Sequence, residues 1–271
     1  MKQNISLFIL CLLIFSSCEE TMIPIPDAKD FETDKTVLVE ELTGVQCPNC
    51  PKGTAALEQI LQTYGENVFA IGIHGELQAD PLPDSKYDFR NEFARELEYF
   101  HAPYLGKPAA TINRRQFDGE IFTPVDNIDI WLSLVELELE EPLQIAIALD
   151  HSFDETSRTI NISADFVPVV DLDGEYKVSV FVTESEIIDL QENLGVIIED
   201  YEHNHVLRHM MTKFDGDSLG DDLKEGDQLN KSFSYTVPDN FNTNHMEVVV
   251  SVHRNSTENK QILQSAGFKL K

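Results

Sequence analysis

The stretch VLVEELTGVQCPNCP, residues 37–51, carries the signals that predict the fold of this chain. Its first three residues, Val37 to Val39, form the apolar run of a buried strand. The tetrapeptide Cys47-Pro48-Asn49-Cys50 comes next. Pro51 to Tyr64 then has the apolar periodicity of a helix that stops at Gly65. We therefore predict a strand, a C-x-x-C motif and a helix in direct succession.

This placement of the two cysteines predicts redox chemistry. Cys47 would lie at a helix N-terminus, where unpaired N–H groups and the helix dipole favour an anion, so we expect a thiol pKa below that of free cysteine. Cys50, one helical turn further on, would be close enough to attack a mixed disulfide on Cys47 and release the product. Such a reaction needs no cofactor.

The rest of the sequence divides into two parts that differ in their pattern of apolar residues. Apolar runs at 68–73 and 109–112 predict further strands, and helices are predicted over 85–100 and from Thr123 onward, which indicates an α/β domain over residues 36–141. From Pro142 the pattern changes to short alternating runs separated by turn residues. We therefore predict an all-β, immunoglobulin-like sandwich over residues 142–271.

The N-terminus is typical of an exported lipoprotein. Residues 1–17 have a positive charge, an apolar run and a small Ser-Ser pair, as in a signal peptide, and Cys18 follows directly. Cys18 would be lipidated after cleavage, and residues 18–35 would form a tether; plain secretion with an unmodified Cys18 is the alternative. Membrane attachment would then be through lipid alone. Cys47 and Cys50 would be the remaining thiols, in an oxidising compartment.

The net charge of the chain restricts the classes of molecule that it can bind. Twenty basic against forty-eight acidic residues give a net charge of −28. This charge opposes polyanions at long range and disfavours nucleic acid as a partner.

The motif and its surroundings resemble the thioredoxin family over about residues 36–140. The resemblance rests on the strand before the motif, the C-x-x-C, the following helix and the later Gly106-Lys107-Pro108. It implies a thioredoxin-like domain in which Glu41, six residues before Cys47, is a buried carboxylate that exchanges a proton with Cys50. It also implies that Pro108 is a cis-proline that aligns substrate backbone. A surface position for Glu41 is the alternative.

Three positions depart from the thioredoxin pattern. Gln46 stands where thioredoxins usually have Trp, Pro48-Asn49 replaces Gly-Pro, and Lys107 precedes the proline. A cation at Lys107 would stabilise a Cys47 thiolate. The departures concern the direction of electron flow rather than the presence of a dithiol.

A narrower resemblance covers nearly the whole mature chain. Cys18, the stretch 39–51, "GIHGE" at 72–76, the β-rich second half and "YEHNHVLRHMM" at 201–211 are similar to the twenty-eight-kilodalton outer-membrane lipoproteins of Bacteroidota. This resemblance implies a cell-envelope lipoprotein of the outer membrane, facing the periplasm or the surface.

Three histidines form a second candidate cluster. His203, His205 and His209 have odd numbers, so on one strand they would face the same way and could bind zinc or copper. A polar strand edge is the alternative, and we assign no metal site.

Two functions remain open on the sequence. The first is a lipid-anchored thiol–disulfide oxidoreductase acting on protein thiol or disulfide clients, with Cys47 as nucleophile, Cys50 as resolving thiol, Glu41 as proton acceptor and Pro108 as substrate aligner. The alternative is a non-catalytic surface binding or assembly lipoprotein in which the Cys47–Cys50 disulfide is structural.

Overall fold

The computed structural model describes residues 34–271. The signal peptide predicted over 1–17, the lipidation site Cys18 and nearly all of the tether predicted over 18–35 lie outside the described residues. In residues 34–271 the helices are α1 (Cys50–Tyr64), α2 (Glu92–His101) and α3 (Trp131–Leu139).

Strands make up most of the ordered structure. In chain order they are β1 (Val37–Leu42), β2 (Val68–Ile73), β3 (Ala109–Ile112), β4 (Ile145–Asp154), β5 (Thr159–Pro168), β6 (Leu172–Glu184), β7 (Ile187–Asn193), β8 (Val196–His203), β9 (Val206–Met210), β10 (Asp217–Leu223), β11 (Leu229–Thr236), β12 (Met246–Arg254) and β13 (Ile262–Lys269).

One mixed sheet runs through both parts of the chain. Its order is β13-β12-β6-β9-β2-β1-β3, and β10 pairs with β6 as an eighth strand. β1 is parallel to β2 and antiparallel to β3, while β6 and β12 are antiparallel. The predicted fold class, an α/β thioredoxin-like domain followed by a separate immunoglobulin-like sandwich, is therefore wrong. The described chain is a mostly β protein with few helices and a shared mixed sheet.

Two connections explain why the parts do not form separate sheets. β2 pairs with β9 in parallel at Gly72 and Val206, and the Gly72 amide donates to the carbonyl of His205 at 2.7 Å. Thr36, just before β1, donates through Oγ1 to the carbonyl of Ser265 on β13 at 2.7 Å. These contacts satisfy polar groups that an open strand edge would leave unpaired. Sequence periodicity shows which faces are buried but not which strands pair, so it could not predict this junction.

The second part does contain two packed layers. A three-stranded sheet, β11-β5-β4, packs on the mixed sheet, and the core between them includes Phe166, Tyr176, Val180 and Val250. The mixed sheet also contains strands of the first part, so the two layers do not form a separate sandwich domain. The boundary predicted at 141/142 stays a prediction.

Helices cover the two faces of the mixed sheet near β1. Val37 and Val39 face a core that contains Leu57 of α1 and Trp131 and Val135 of α3. Leu38 and Leu42 face the opposite core, with Leu97 of α2 and Phe181 of β6. Alternate residues of β1 therefore enter different cores, as the two-residue period of a strand requires.

The predicted first helix is confirmed, but the next two are shorter than predicted. α2 begins at Glu92 rather than near Ser85, because Asn91 caps it by accepting from the amide of Ala94 at 2.9 Å. The helix predicted from Thr123 begins only at Trp131, since Val125 pairs with Ala110 through two backbone hydrogen bonds. Among the described residues, no helix has the length and apolar character needed to cross a membrane.

Candidate functional site

The two cysteines of the motif form a disulfide beside the N-terminus of α1. Cys47 lies in the turn after β1, Cys50 is the first residue of the helix, and their Cα atoms are 5.4 Å apart. Asn49 occupies the N-cap without a side-chain hydrogen bond, and Pro51 stands in the first helical turn. Cys47 and Cys50 are 0% and 1% exposed. The motif therefore lies near the predicted helix terminus but is closed to solvent.

A hairpin formed by β7 and β8 covers the cysteine loop. The Gln191 side chain on β7 donates through Nε2 to the carbonyls of Cys47 and Gly44, both at 3.2 Å. The amide of Glu192 donates to the carbonyl of Val45 at 2.9 Å, and the amide of Leu194 to that of Pro48 at 3.2 Å. The hairpin thus donates hydrogen bonds to four carbonyl oxygens of the loop and holds the loop in place.

Glu41 and Pro108 meet helix α1 at Gly53. A Cβ added to Gly53 would lie 2.7 Å from the Cβ of Pro108 and 2.8 Å from Oε1 of Glu41, so only glycine allows this approach. Lys107-Pro108 is a cis peptide bond. The structure therefore brings Glu41 and Pro108 together beside the helix that starts at Cys50. Their predicted roles in turnover stay predictions.

Glu41 is a buried carboxyl without a paired cation. It is 3% exposed, and its Oε1 has no hydrogen-bond partner among residues 34–271. Burial raises the pKa of Glu41 to about 8, although nearby Thr54 and Lys107 act in the opposite direction. The surface alternative for Glu41 is excluded. At neutral pH the side chain is mostly a neutral carboxylic acid, which can donate or accept a hydrogen bond.

Lys107 is engaged by groups other than the cysteines. Its Nζ donates to the carbonyls of Thr43 at 2.9 Å and Leu77 at 2.7 Å, and it forms an ion pair with Glu98 at 2.9 Å. All three donors of the ammonium group are used. Lys107 therefore fixes the loop after β1 to α2.

The three histidines do not lie on one strand. His203 ends β8, His205 follows with a φ of 55°, and His209 lies on β9. His203 contacts the rings of His74 and Phe89, while His209 stacks on the ring of Tyr235. In the part of the chain that the structure describes, no three His, Cys, Asp or Glu side chains are grouped as metal ligands.

Sequence reasoning missed Gln191 and the buried ion pair of the neighbouring core. Gln191 stands in an alternating strand, where nothing distinguishes it from a surface glutamine. Glu40 accepts from Arg114 Nε at 2.8 Å and from Nη2 at 2.6 Å, and both residues are buried. The Glu40-Glu41 pair in a run of apolar residues was a usable signal, because charged residues in a buried strand require partners.

The comparisons with known proteins identify the family of the chain. The family model of outer membrane protein Omp28 matches residues 99–269, which is more than half of the chain. The chain belongs to the outer membrane protein Omp28 family. It is a cell-envelope protein of the outer membrane, and its Cys47–Cys50 disulfide is a feature of the fold.

Solved structures similar to this Omp28-family protein include HBP35 of Porphyromonas gingivalis, at 15% identity and a TM-score of 0.69, covering 89% of this chain and 76% of that one. A protein of Agrobacterium tumefaciens matches at 12% identity and a TM-score of 0.54, covering 89% and 96%. A domain of the outer membrane lipoprotein Omp28 from Porphyromonas gingivalis matches at 15% identity and a TM-score of 0.33, covering 46% and 87%. A search of curated proteins finds no match.

Proposed function

We propose that this Omp28-family protein is a lipoprotein, anchored through Cys18, that acts by binding or assembly at the outer membrane and uses its disulfide structurally. The observation that carries this proposal is the cover over the disulfide. Both cysteines are buried, and Gln191 of the β7–β8 hairpin donates to the loop at Cys47 and Gly44. A nucleophilic cysteine must reach its substrate, and this cover denies it access.

The disulfide has a clear structural role in this arrangement. It closes the turn whose carbonyls accept from the hairpin, so it holds those acceptors in position. In the chain-entropy description, closing so short a loop contributes about 2 kcal/mol. The partner would be a macromolecule of the envelope, contact with the membrane would be through the lipid alone, and the net charge of −28 disfavours nucleic acid.

Purified full-length protein tests this proposal in an insulin-reduction assay with dithiothreitol. We expect no acceleration over the protein-free reaction, both for the native chain and for the double variant C47S/C50S. The double variant should lose about 2 kcal/mol of unfolding free energy and keep its level in the outer-membrane fraction. Acceleration by the native chain that the double variant lacks would overturn the structural role.

A specific observation favours a second candidate, the thiol–disulfide oxidoreductase. Glu41 is a buried, mostly neutral carboxyl that meets Pro108 at helix α1, two elements of the arrangement expected for proton exchange with Cys50. In this candidate a dithiol partner protein first reduces the Cys47–Cys50 disulfide and is itself oxidised to a disulfide. Cys47 then attacks a client disulfide, one client thiolate leaves, and Cys50 displaces the second as the Cys47–Cys50 disulfide forms again. The hairpin would have to move aside for a client protein to enter.

Trapping in cells separates the two candidates. C50S would leave a client attached to Cys47 if the oxidoreductase candidate were correct, and C47S is the matched control because it removes the attacking sulfur. We expect no mixed disulfides with either variant on non-reducing gels. Adducts that appear with C50S and disappear with C47S would establish the second candidate.

A further inference from the structure

Strand β11 is an open edge of the three-stranded sheet. The order of that sheet is β11-β5-β4, so β11 has a neighbouring strand on one side only. Its 8 residues pair with β5 without a register shift, from Leu229 opposite Phe166 to Thr236 opposite Thr159. Along its other edge, the β11 backbone forms no hydrogen bond with any residue of 34–271. One side of the strand therefore presents a row of free amide and carbonyl groups.

The charge of β11 differs from that of the other open strands. β11 has no acidic residue, and Lys231 is its one charged side chain. β4, β8 and β10 also have one neighbouring strand each, but they carry carboxylates. These are Asp150 and Asp154 on β4, Glu199, Asp200 and Glu202 on β8, and Asp217, Asp221 and Asp222 on β10. Like charges directly opposite each other destabilise a strand pair, so those edges disfavour pairing with a second copy.

The remaining edges of the described sheets are occupied. Val125 pairs with Ala110 of β3, and Thr36 binds Ser265 of β13. The cysteine loop accepts a hydrogen bond from the amide of Glu192 on β7. Among the strands of residues 34–271, β11 therefore combines an open edge with the absence of carboxylates.

The apolar side chains of β11 are incompletely covered. Leu229, Phe233 and Tyr235 pack on the core between the two sheets, but each is only partly buried. On the neighbouring β5, by contrast, Ile160 and Ile162 of the same core are buried. The core therefore ends at β11 with apolar surface in contact with solvent. A further strand next to β11 would cover this surface, which is favourable through the hydrophobic effect.

We propose that β11 pairs antiparallel with β11 of a second copy of this chain, so that the three-stranded sheets of two copies become one continuous sheet. This inference rests on the binding or assembly role proposed above and names its partner. A strand can pair antiparallel with its own copy about a two-fold axis, and both copies then use the same surface. With the axis at Ser232 or at Phe233, Lys231 lies opposite an aromatic side chain of the second copy and not opposite its own counterpart, so no like charges meet.

The net charge of −28 determines how this dimer should depend on salt. Two copies with this charge repel each other at long range, and salt screens the repulsion. The contact itself consists of backbone hydrogen bonds and apolar side chains, which do not depend on opposite charges. The dimer should therefore become tighter as the salt concentration rises, whereas a complex held by opposite charges becomes weaker.

Sedimentation equilibrium of the purified full-length protein, at low and at high salt, tests this pairing. We expect a reversible monomer–dimer equilibrium at protein concentrations up to about 100 μM, with more dimer at high salt. S232D adds a carboxylate to the open edge and should weaken dimerisation about tenfold, because two like charges then face each other across the contact. S152D is the matched control, since Ser152 is an exposed serine of the same sheet but lies on β4, two strands away from the edge.

Three results would overturn the pairing. The first is a protein that stays monomeric at both salt concentrations. The second is a dimer on which S232D and S152D have the same effect, because β11 would then not form the contact. The third is a dimer that weakens as salt rises, because opposite charges would then hold it together. Circular dichroism verifies that both variants are folded. These measurements involve no thiol chemistry, so a monomeric protein would leave the structural role of the disulfide, which the insulin assay tests, unaffected.

Discussion

Adjacent glutamates on β1 have opposite electrostatic surroundings. Glu41 faces helix α1, without a paired cation, and burial raises its pKa to about 8. Glu40 faces the other core, where Arg114 and His101 hold its pKa well below the usual range, although burial alone would raise it. The two-residue period of the strand separates them. One carboxyl is therefore mostly neutral and the other ionised at neutral pH.

Glu41 makes stability depend on pH. Its folded pKa of about 8 lies above the ordinary value of 4.5. Because the protonated form of Glu41 is favoured in the folded protein, its contribution to folding stability is fully present below about pH 4.5. This contribution is lost as the pH rises toward 8. Within this window Glu41 lowers the unfolding free energy by about 1.4 kcal/mol per pH unit. The variant E41Q, which cannot ionise, should lose this slope and gain stability relative to the native chain as the pH rises.

Urea unfolding at pH 5, 6, 7 and 8 measures this difference. E66Q is the matched control, since Glu66 is an exposed glutamate just after α1. A native chain and E41Q with parallel pH profiles would contradict the raised pKa of Glu41.

Removing the charge of Glu40 should, in contrast, destabilise the protein strongly. E40Q leaves Arg114 buried without its carboxylate, because both Glu40 oxygens accept from Arg114. Breaking one side of a buried ion pair costs about 3–5 kcal/mol. Urea unfolding at pH 7 should show a loss of this size for E40Q and little change for E66Q. A loss for E40Q as small as that of the control would show that the pair is not formed.

At the scale of elements, the β7–β8 hairpin decides how accessible the disulfide is. It carries exposed apolar side chains at Leu194, Val196 and Ile197, while the Gln191 side chain is buried. The hairpin is a separate two-stranded sheet, held to the cysteine loop by the hydrogen bonds of Gln191, Glu192 and Leu194. Local opening of such an element needs less free energy than global unfolding.

Q191A should therefore speed reduction of the disulfide. The change removes the three hydrogen bonds of the Gln191 amide, including those to Cys47 and Gly44, a loss of about 1–3 kcal/mol. Under mild dithiothreitol we expect the thiols to appear roughly tenfold faster than in the native chain. Mass spectrometry after alkylation measures the rate.

E199Q provides the comparison for this experiment, because Glu199 lies exposed on the same hairpin. It should keep the native rate of reduction. Equal rates for all three proteins would mean that the hairpin does not control access to the disulfide.

The sequence predicted elements with strong local signals and failed where distant contacts decide. β1, the C-x-x-C turn and α1 follow from the apolar pattern and from Gly65, and all three are present. The start of α2 depends on the cap at Asn91, and the segment near Val125 depends on pairing with Ala110. The burial of Glu41 and the cis bond before Pro108 were predictable from family resemblance. The Gln191 cover was not, because nothing in the sequence indicates that residues 187–203 reach residue 47.

At the scale of the whole molecule, the mixed sheet makes the two parts of the chain interdependent. β9 pairs with β2, and Thr36 binds Ser265 on β13. The amide of Ile262 on β13 also donates to the carbonyl of Asn113 after β3, at 2.8 Å. Removing either part would expose an edge of the sheet and the apolar side chains behind it.

We therefore expect one unfolding transition for the whole protein. Calorimetric and van't Hoff enthalpies should agree, as they do for a cooperative unit. The native chain offers a second check, because Trp131 lies in the first part while the β-rich second part dominates far-UV circular dichroism. Unfolding followed by Trp131 fluorescence should coincide with unfolding followed by circular dichroism. Two separated transitions would instead support independent domains on either side of residue 142.

The pairing between β2 and β9 has a mechanical consequence. In the described chain it consists of a single residue pair, Gly72 and Val206, within an otherwise extensively bonded sheet. We expect this pairing to open before the rest of the sheet when the protein fluctuates locally or is stretched. Deuterium should consequently exchange at the Gly72 amide well before it exchanges at the amides of the β1–β2 ladder, and the first local opening would separate the two parts of the chain.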